Sequence, residues 1–266
     1  MTSPAQQIPL PEIVRDVSPS KRFPVTEIFG PTLQGEGAHI GLRTMFVRFG
    51  ACDGVSGHND WCTWCDSMYA VDPINKARWL LLTARDIVDR LEELSEETGC
   101  RNVTFTGGNP ALHDLDSLMI MLSYQWSVNV ETQATIWRDW LEEVDCITMS
   151  PKPPSAGKFN KDKFHRFVWN AFRSKAYFLE HKRVLKIVVG DDIDYEFARD
   201  LIIEYQHLSW EHVSLSALTT PGNFRLEDLR DQSRWLADKV INDALIGDVR
   251  VLFQYHVMLW GDLRGV

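Results

Sequence analysis

The chain contains no run of eighteen apolar residues, so it offers no transmembrane helix. Residues 1–21 are broken by Pro4, Pro9, Pro11 and Pro19 and hold no apolar stretch behind a basic start, so no secretory leader is expected either. Positive charge is also in short supply: 28 Lys and Arg against 37 Asp and Glu leave a formal charge of -9. That balance argues against a broad phosphate-binding face and makes nucleic acid an unexpected partner, leaving a small molecule as the expected one. Cysteine is sparse and odd in number, five in 266 residues. Cys100 and Cys146 stand alone in apolar or element-end contexts, the ordinary setting of a buried structural thiol, and a secreted disulfide framework is not expected. A soluble, cytoplasmic protein that does not bind membranes is the expectation.

What is present is a hydrophobic content of 44%, enough for a sizeable core. A loose arm over 1–22 followed by a single domain over 23–266 is expected. Short Val-, Ile-, Phe- and Thr-rich runs predict strands at 44–49, 102–106, 127–131, 145–149, 184–189, 212–216 and 249–254. Amphipathic stretches between them predict helices near 114–124, 136–143, 161–181, 194–206 and 226–244. A further helix follows Thr83, where Thr83-Ala-Arg-Asp86 reads as a capping box and Gly99 can close the end. Strand followed by helix, repeated, is the pattern of an α/β fold with parallel strands and right-handed crossovers, either an open doubly wound sheet or a full or partial barrel. In a barrel, function gathers where the strands end.

Four unusual segments fall at such ends. Cys52, Cys62 and Cys65 follow the first expected strand, Thr106-Gly-Gly-Asn-Pro110 the second, Glu131-Thr-Gln133 the third, and Ser150-Pro-Lys-Pro-Pro154 the fourth. Three thiolates can hold a metal or an iron-sulfur cluster while leaving one coordination position open. With His58 the loop also reads Cys-x5-His-x3-Cys-x2-Cys, which would complete a structural zinc site, and spacing alone does not separate the two. Gly107 and Gly108 allow close backbone approach to a ligand, and Pro110 stiffens the turn. Arg48 interrupts an apolar strand, where an inward charge needs an anionic partner, such as a bound carboxylate. The segment Gly30-Pro-Thr-Leu-Gln-Gly-Glu-Gly37 reads by itself as an ordinary loop or hairpin.

Taken in order, Glu27-Ile-Phe-Gly-Pro-Thr-Leu-Gln-Gly-Glu-Gly37, Thr44-Met-Phe-Val-Arg48, Cys62-Thr-Trp-Cys-Asp-Ser67, Gly107-Gly-Asn-Pro-Ala-Leu112, Glu131-Thr-Gln133, Ser150-Pro-Lys-Pro-Pro-Ser155 and Leu259-Trp-Gly-Asp-Leu-Arg-Gly-Val266 resemble the radical S-adenosylmethionine enzymes, and within them the 7-carboxy-7-deazaguanine synthase branch. The resemblance spans the chain from about residue 24 onward. It implies a modified partial (β/α) barrel, a homodimer and an electron donor of the flavodoxin type. It implies that Cys52, Cys62 and Cys65 hold a [4Fe-4S] cluster whose open iron takes the amino and carboxylate groups of S-adenosylmethionine. The reaction it implies is a lyase step: a 5′-deoxyadenosyl radical abstracts hydrogen from C6 of 6-carboxy-5,6,7,8-tetrahydropterin, and ring contraction with loss of ammonia gives the deazaguanine. By the same resemblance Leu33, Gln34, Gly35, Glu36, Arg48, Thr106 and the terminal Val266 contact substrate. Gly108, Asn109, Glu131, Ser150, Pro151 and Lys152 contact the cofactor, and Ser67 supplies a hydroxyl to Mg²⁺. Gln254 and His256 match the tail pattern with no assigned role. The alternatives are another radical enzyme acting on a different carboxylated heterocycle, and a structural zinc module.

Two positions depart from the pattern. Better known radical enzymes use a Cys-x3-Cys spacing, whereas nine residues separate Cys52 from Cys62, an expansion that costs only about 0.6 kcal/mol per doubling of loop length. Asn109 stands where many of these enzymes have Glu in a Gly-Gly-Glu-Pro turn. Its amide can still accept a hydrogen bond but carries no charge.

Overall fold

The computed structural model describes residues 20–55, 60–173, 182–219, 225–261 and 263–265. His58, Val266, most of the expected arm and the last part of the helix expected over 161–181 lie outside the described residues.

Nine strands form one sheet: β1 (Arg22–Leu33), β2 (Arg43–Phe49), β3 (Leu80–Thr83), β4 (Asn102–Gly107), β5 (Ser127–Thr132), β6 (Cys146–Met149), β7 (Lys182–Val189), β8 (His212–Ala217) and β9 (Val249–Leu252). Their order is β3-β1-β2-β4-β5-β6-β7-β8-β9, parallel from β2 to β9, with β1 antiparallel to both β2 and β3. The helices are α1 (Met68–Val71), α2 (Ala84–Glu96), α3 (Asp116–Leu122), α4 (Lys161–Arg173), α5 (Asp192–Tyr205), α6 (Leu226–Ile241) and α7 (Tyr255–Trp260). The sheet has two free ends, β3 and β9, so the (β/α) barrel is partial. Where 136–143 was expected to be helical, only a 3-10 turn forms, Asp139–Glu143. No helix among the described residues is long and apolar enough to cross a membrane.

Strand alternation divides the molecule. Val47 and Phe49 on β2, Val103 and Phe105 on β4, Val128 and Val130 on β5, and Leu185, Ile187 and Val189 on β7 are buried together with the apolar faces of the helices. The alternate residues Arg48, Thr106, Glu131 and Lys186 face the opposite side. Helix α2 shows how the core is closed. The Thr83 hydroxyl accepts from the Asp86 N–H at 3.2 Å, and the Asp86 carboxylate accepts from the Thr83 N–H at 2.8 Å. Ile87 and Leu91 are fully buried one turn apart, and Gly99, at φ +65°, donates its N–H to Ser95 O at 2.7 Å.

Two strands escape sequence reading, each for its own reason. β1 contains Pro24, Gly30 and Pro31, residues that weaken a strand pattern, and the structure absorbs them as register shifts between Val25 and Glu27 and between Phe29 and Thr32. β3 is four residues long and pairs only with β1.

Leu91 packs in the shared core without touching the chamber, so Leu91→Ala should cost roughly 2–5 kcal/mol of stability. Equilibrium denaturant unfolding of the metal-free protein checks this, and a change below 1 kcal/mol, a value outside that range, would contradict the packing described.

Candidate active site

The inward residues line a chamber of about 510 Å³ at the carboxyl ends of the parallel strands, within the size range of a small-molecule site. Leu33, Gln34, Gly35, Glu36, Arg48, Ser67, Thr106, Gly108, Glu131, Ser150 and Lys152 all contribute to its wall. Of the described site residues expected from sequence, Asn109 and Pro151 stand outside that wall, and the three cysteines sit on the loop whose Trp64 and Asp66 form part of it. Residues Leu263, Arg264 and Gly265 of the tail also reach the chamber.

Two of the chamber's cations, Arg48 on β2 and Lys186 on β7, project from strands, and each is held by a carboxylate from β1 or the loop it feeds. Arg48 donates from Nε to Glu27 Oε1 at 2.6 Å and from Nη1 to Ser67 Oγ at 3.3 Å, and its guanidinium lies against the rings of Phe29 and Tyr69. Tyr69 OH donates to the same Glu27 oxygen at 2.7 Å. The anionic partner that Arg48 requires is therefore supplied in part by the protein itself. Lys186, in the middle of β7, pairs with Glu36, whose other oxygen accepts from Gln254 Nε2 at 2.5 Å. Burial pushes the Glu36 carboxyl up, but Lys186, His256 and the hydrogen bonds from Lys186 and Gln254 outweigh it and hold Glu36 below the usual carboxylate range. Glu36 is ionised across neutral pH.

The tail closes this side. Tyr255 N–H donates to Gly35 O at 2.8 Å, and His256 packs so closely that a Cβ on residue 35 would meet its ring nitrogen at 1.9 Å. Gln34 bridges the floor, donating from Nε2 to Glu131 at 3.2 Å and accepting from the Glu36 N–H at 3.2 Å. Ser67 Oγ donates to Asp66 Oδ1 at 2.8 Å, which puts two hard oxygen donors side by side in the wall.

Cys52, Cys62 and Cys65 are free thiols of intermediate exposure. Burial pushes all three up, Cys52 to about 12 and Cys65 to about 11, while Lys152 favours the thiolate at each of them. Among the described residues, no three His, Cys, Asp or Glu side chains gather closely enough for one metal ion. Three thiols on one loop are a donor set of the kind an iron-sulfur cluster takes, and Cys62 is near enough to Cys52 and to Cys65, as Lys152 is to all three, for their charges to interact. The Gly107-Gly108 turn abuts the same loop, and a Cβ on residue 108 would meet Ala51 O at 1.9 Å. The far end of the loop is pinned as well. Thr63 donates through its backbone to Ala156 O at 3.0 Å and through its hydroxyl to Ser155 O at 2.5 Å. Trp64 Nε1 donates to Ser155 Oγ at 3.0 Å, and that hydroxyl donates to the fully buried Asp194 at 2.6 Å.

Against known proteins, no family model matches. The 7-carboxy-7-deazaguanine synthase of Bacillus cereus is 37% identical over 250 residues, covering 92% of this chain and 99% of the relative. The chain belongs to the 7-carboxy-7-deazaguanine synthases. The synthase of Bacillus subtilis is 36% identical over 252 residues, 93% of this chain and all of the relative. Among solved structures, QueE from Escherichia coli shares the fold at TM-score 0.61 and 22% identity, covering 88% of this chain and 95% of that one. Streptococcus suis SuiB bound to the precursor peptide SuiA shares it at TM-score 0.52 and 14% identity, over 79% of this chain and 48% of its own.

Sequence reading of this synthase missed Lys186, Glu27 and Asp53. Lys186 carried the same signal as Arg48, a charge inside the apolar run Val184-Leu-Lys-Ile-Val-Val189. Glu27 lay in a strand disguised by proline, and Asp53 had only its place beside Cys52 to mark it.

Removing one member of the Glu36–Lys186 pair leaves the other buried and uncompensated, so Lys186→Met should cost about 3–5 kcal/mol and Lys186→Met with Glu36→Gln much less. Glu36 is depressed in the folded state, so its contribution is present above the ordinary carboxylate range near pH 4.5 and is lost as pH falls through its folded value. Unfolding of the metal-free variants between pH 3 and pH 7 checks both. Equal stability of Lys186→Met and the parent at pH 7 would contradict the pairing.

Proposed function

We propose that the chain is the radical S-adenosylmethionine lyase that converts 6-carboxy-5,6,7,8-tetrahydropterin to 7-carboxy-7-deazaguanine and ammonia in 7-deazapurine biosynthesis. One observation carries the reading. In a chain of this family, a chamber beside three free thiols presents Arg48 and Lys186 with their carboxylate partners, a charge pattern suited to a carboxylated heterocycle rich in N–H donors.

In this reading Cys52, Cys62 and Cys65 hold a [4Fe-4S] cluster, and Gly108, Glu131, Ser150 and Lys152 face S-adenosylmethionine. Bound together, these groups supply the one-electron chemistry that starts the reaction by removing a hydrogen atom from substrate carbon. The chain's own residues bind and orient. Arg48, aimed by Glu27 and braced by Phe29 and Tyr69, presents its guanidinium to the substrate carboxylate. Glu36, ionised and fixed by Lys186 and Gln254, presents acceptor capacity to ring N–H groups. Gln34, fixed from both sides, and the Leu33–Gly35 backbone frame the ring. Ser67 and Asp66 are the oxygen donors for Mg²⁺. The conversion expels one ring nitrogen as ammonia and is neutral in electrons, so the single electron that begins it is not consumed by the substrate. The family resemblance adds a homodimer and a flavodoxin-type donor, and the five free thiols suit a reducing cytoplasm.

The test is product formation under anaerobic conditions, with Arg48→Ala beside the parent. Losing a charged bidentate contact should lower kcat/KM for the carboxypterin about a hundredfold. Parent enzyme that makes no deazaguanine from this substrate, or an Arg48→Ala variant as efficient as the parent, would contradict the assignment.

A further inference from the structure

Nine residues separate Cys52 from Cys62, and the first of them is buried. Asp53 is 6% exposed. Its Oδ1 accepts from Asn109 Nδ2 at 2.8 Å and from Gln133 Nε2 at 2.6 Å, and its Oδ2 accepts from Thr135 Oγ1 at 2.6 Å. Among the described residues, these donors are neutral amides and a hydroxyl. Gln133 Nε2 also reaches Gly54 O at 2.6 Å, and the Asn109 N–H donates to Ala51 O at 2.9 Å, so the backbone on both sides of Cys52 is tied to the ends of β4 and β5.

Asn109 is fully buried, and its amide is spent inside this network. Nδ2 serves Asp53 and, at 3.4 Å, Thr135 Oγ1, while Oδ1 accepts from Thr132 Oγ1 at 2.8 Å and from the Ala111 N–H at 3.3 Å. Glutamate at this position would replace the N–H donor that faces Asp53 Oδ1 with acceptor oxygens, removing the hydrogen bond and setting oxygen against oxygen in a buried site.

We propose that Asp53 is the positioning residue that fixes Cys52 for the cluster, and that position 109 is an amide because Asp53 is a carboxylate. Asn109 then acts through the cysteine loop and does not touch the cofactor. This inference rests on the cluster reading above and deepens it: the longer loop keeps its first ligand in place through a clasp built from the residue after Cys52, the Gly-Gly-Asn-Pro turn and the end of β5.

The readout is the rate at which reconstituted, anaerobic full-length protein loses iron to a chelator, with unfolding of the metal-free protein measured in parallel. Asp53→Asn keeps an acceptor for both amides and should stay close to the parent. Asn109→Glu should lose iron about tenfold faster, and Asp53→Asn combined with Asn109→Glu should recover most of that loss, because a coupled pair gives a non-additive cycle. A loss of stability unrelated to Asp53 would not be reversed by a second substitution at position 53. Asn109→Glu that holds iron like the parent, or a double variant no better than Asn109→Glu alone, overturns the inference. If Asn109→Glu does not fold, recovery of folded, iron-bearing protein in the double variant supports it and failure to recover overturns it. A parent that takes up no iron overturns the cluster reading and this inference together, whereas a parent that holds iron equally well in every variant overturns this inference alone.

Discussion

Placing two cations inside a chamber walled by β-strands is expensive unless each is neutralised where it stands, and the antiparallel strand β1 is what does so here. β1 carries Glu27 opposite Arg48 in the β1–β2 register, and the loop it feeds carries Glu36 to Lys186 on β7. The outward faces of β2 and β7 are locked in the hydrophobic core, so neither cation can turn away. The chamber's charge pattern is thus a consequence of strand alternation plus one additional strand. The tail completes it, with Gln254 on Glu36 and Tyr255 on the Gly35 backbone. These contacts join the exit of β1 to the segment after β9 across the open side of the partial barrel.

The cysteine loop is organised by a different means. Its described ends are held by hydrogen bonds from neighbouring strand ends. Asp53 ties its start to Asn109, Gln133 and Thr135, and Thr63 and Trp64 tie its end to Ser155 and Ala156, with the buried Asp194 behind Ser155. Both of these ends are anchored to motifs that follow parallel strands. Lys152, from the same motif as Ser155, supplies the cation near all three thiols.

The parallel strands were legible because each is a short β-branched run buried on one face by helices, and the helices because Ile87 and Leu91 or Phe164 and Phe167 recur at helical spacing. The site was legible where residue type alone signals chemistry, as with the cysteines, the paired glycines and Arg48 inside an apolar strand. Local pattern failed where long-range pairing overrides it. Pro24 and Pro31 hide β1, whose register shifts are visible only once β2 and β3 are beside it. The acceptors of the Asn109 side-chain N–H lie 56 and 26 residues away, so nothing near it in sequence distinguishes a cofactor ligand from a residue that clasps a loop.

The central claim is that three thiols on this loop hold a cluster with one iron left open, and the most direct test is spectroscopic. Anaerobically reconstituted protein should contain about four irons per chain, and its reduced cluster should give an electron paramagnetic resonance signal that changes shape when S-adenosylmethionine is added. Stoichiometric zinc without iron, or a cluster signal indifferent to S-adenosylmethionine, would contradict the account.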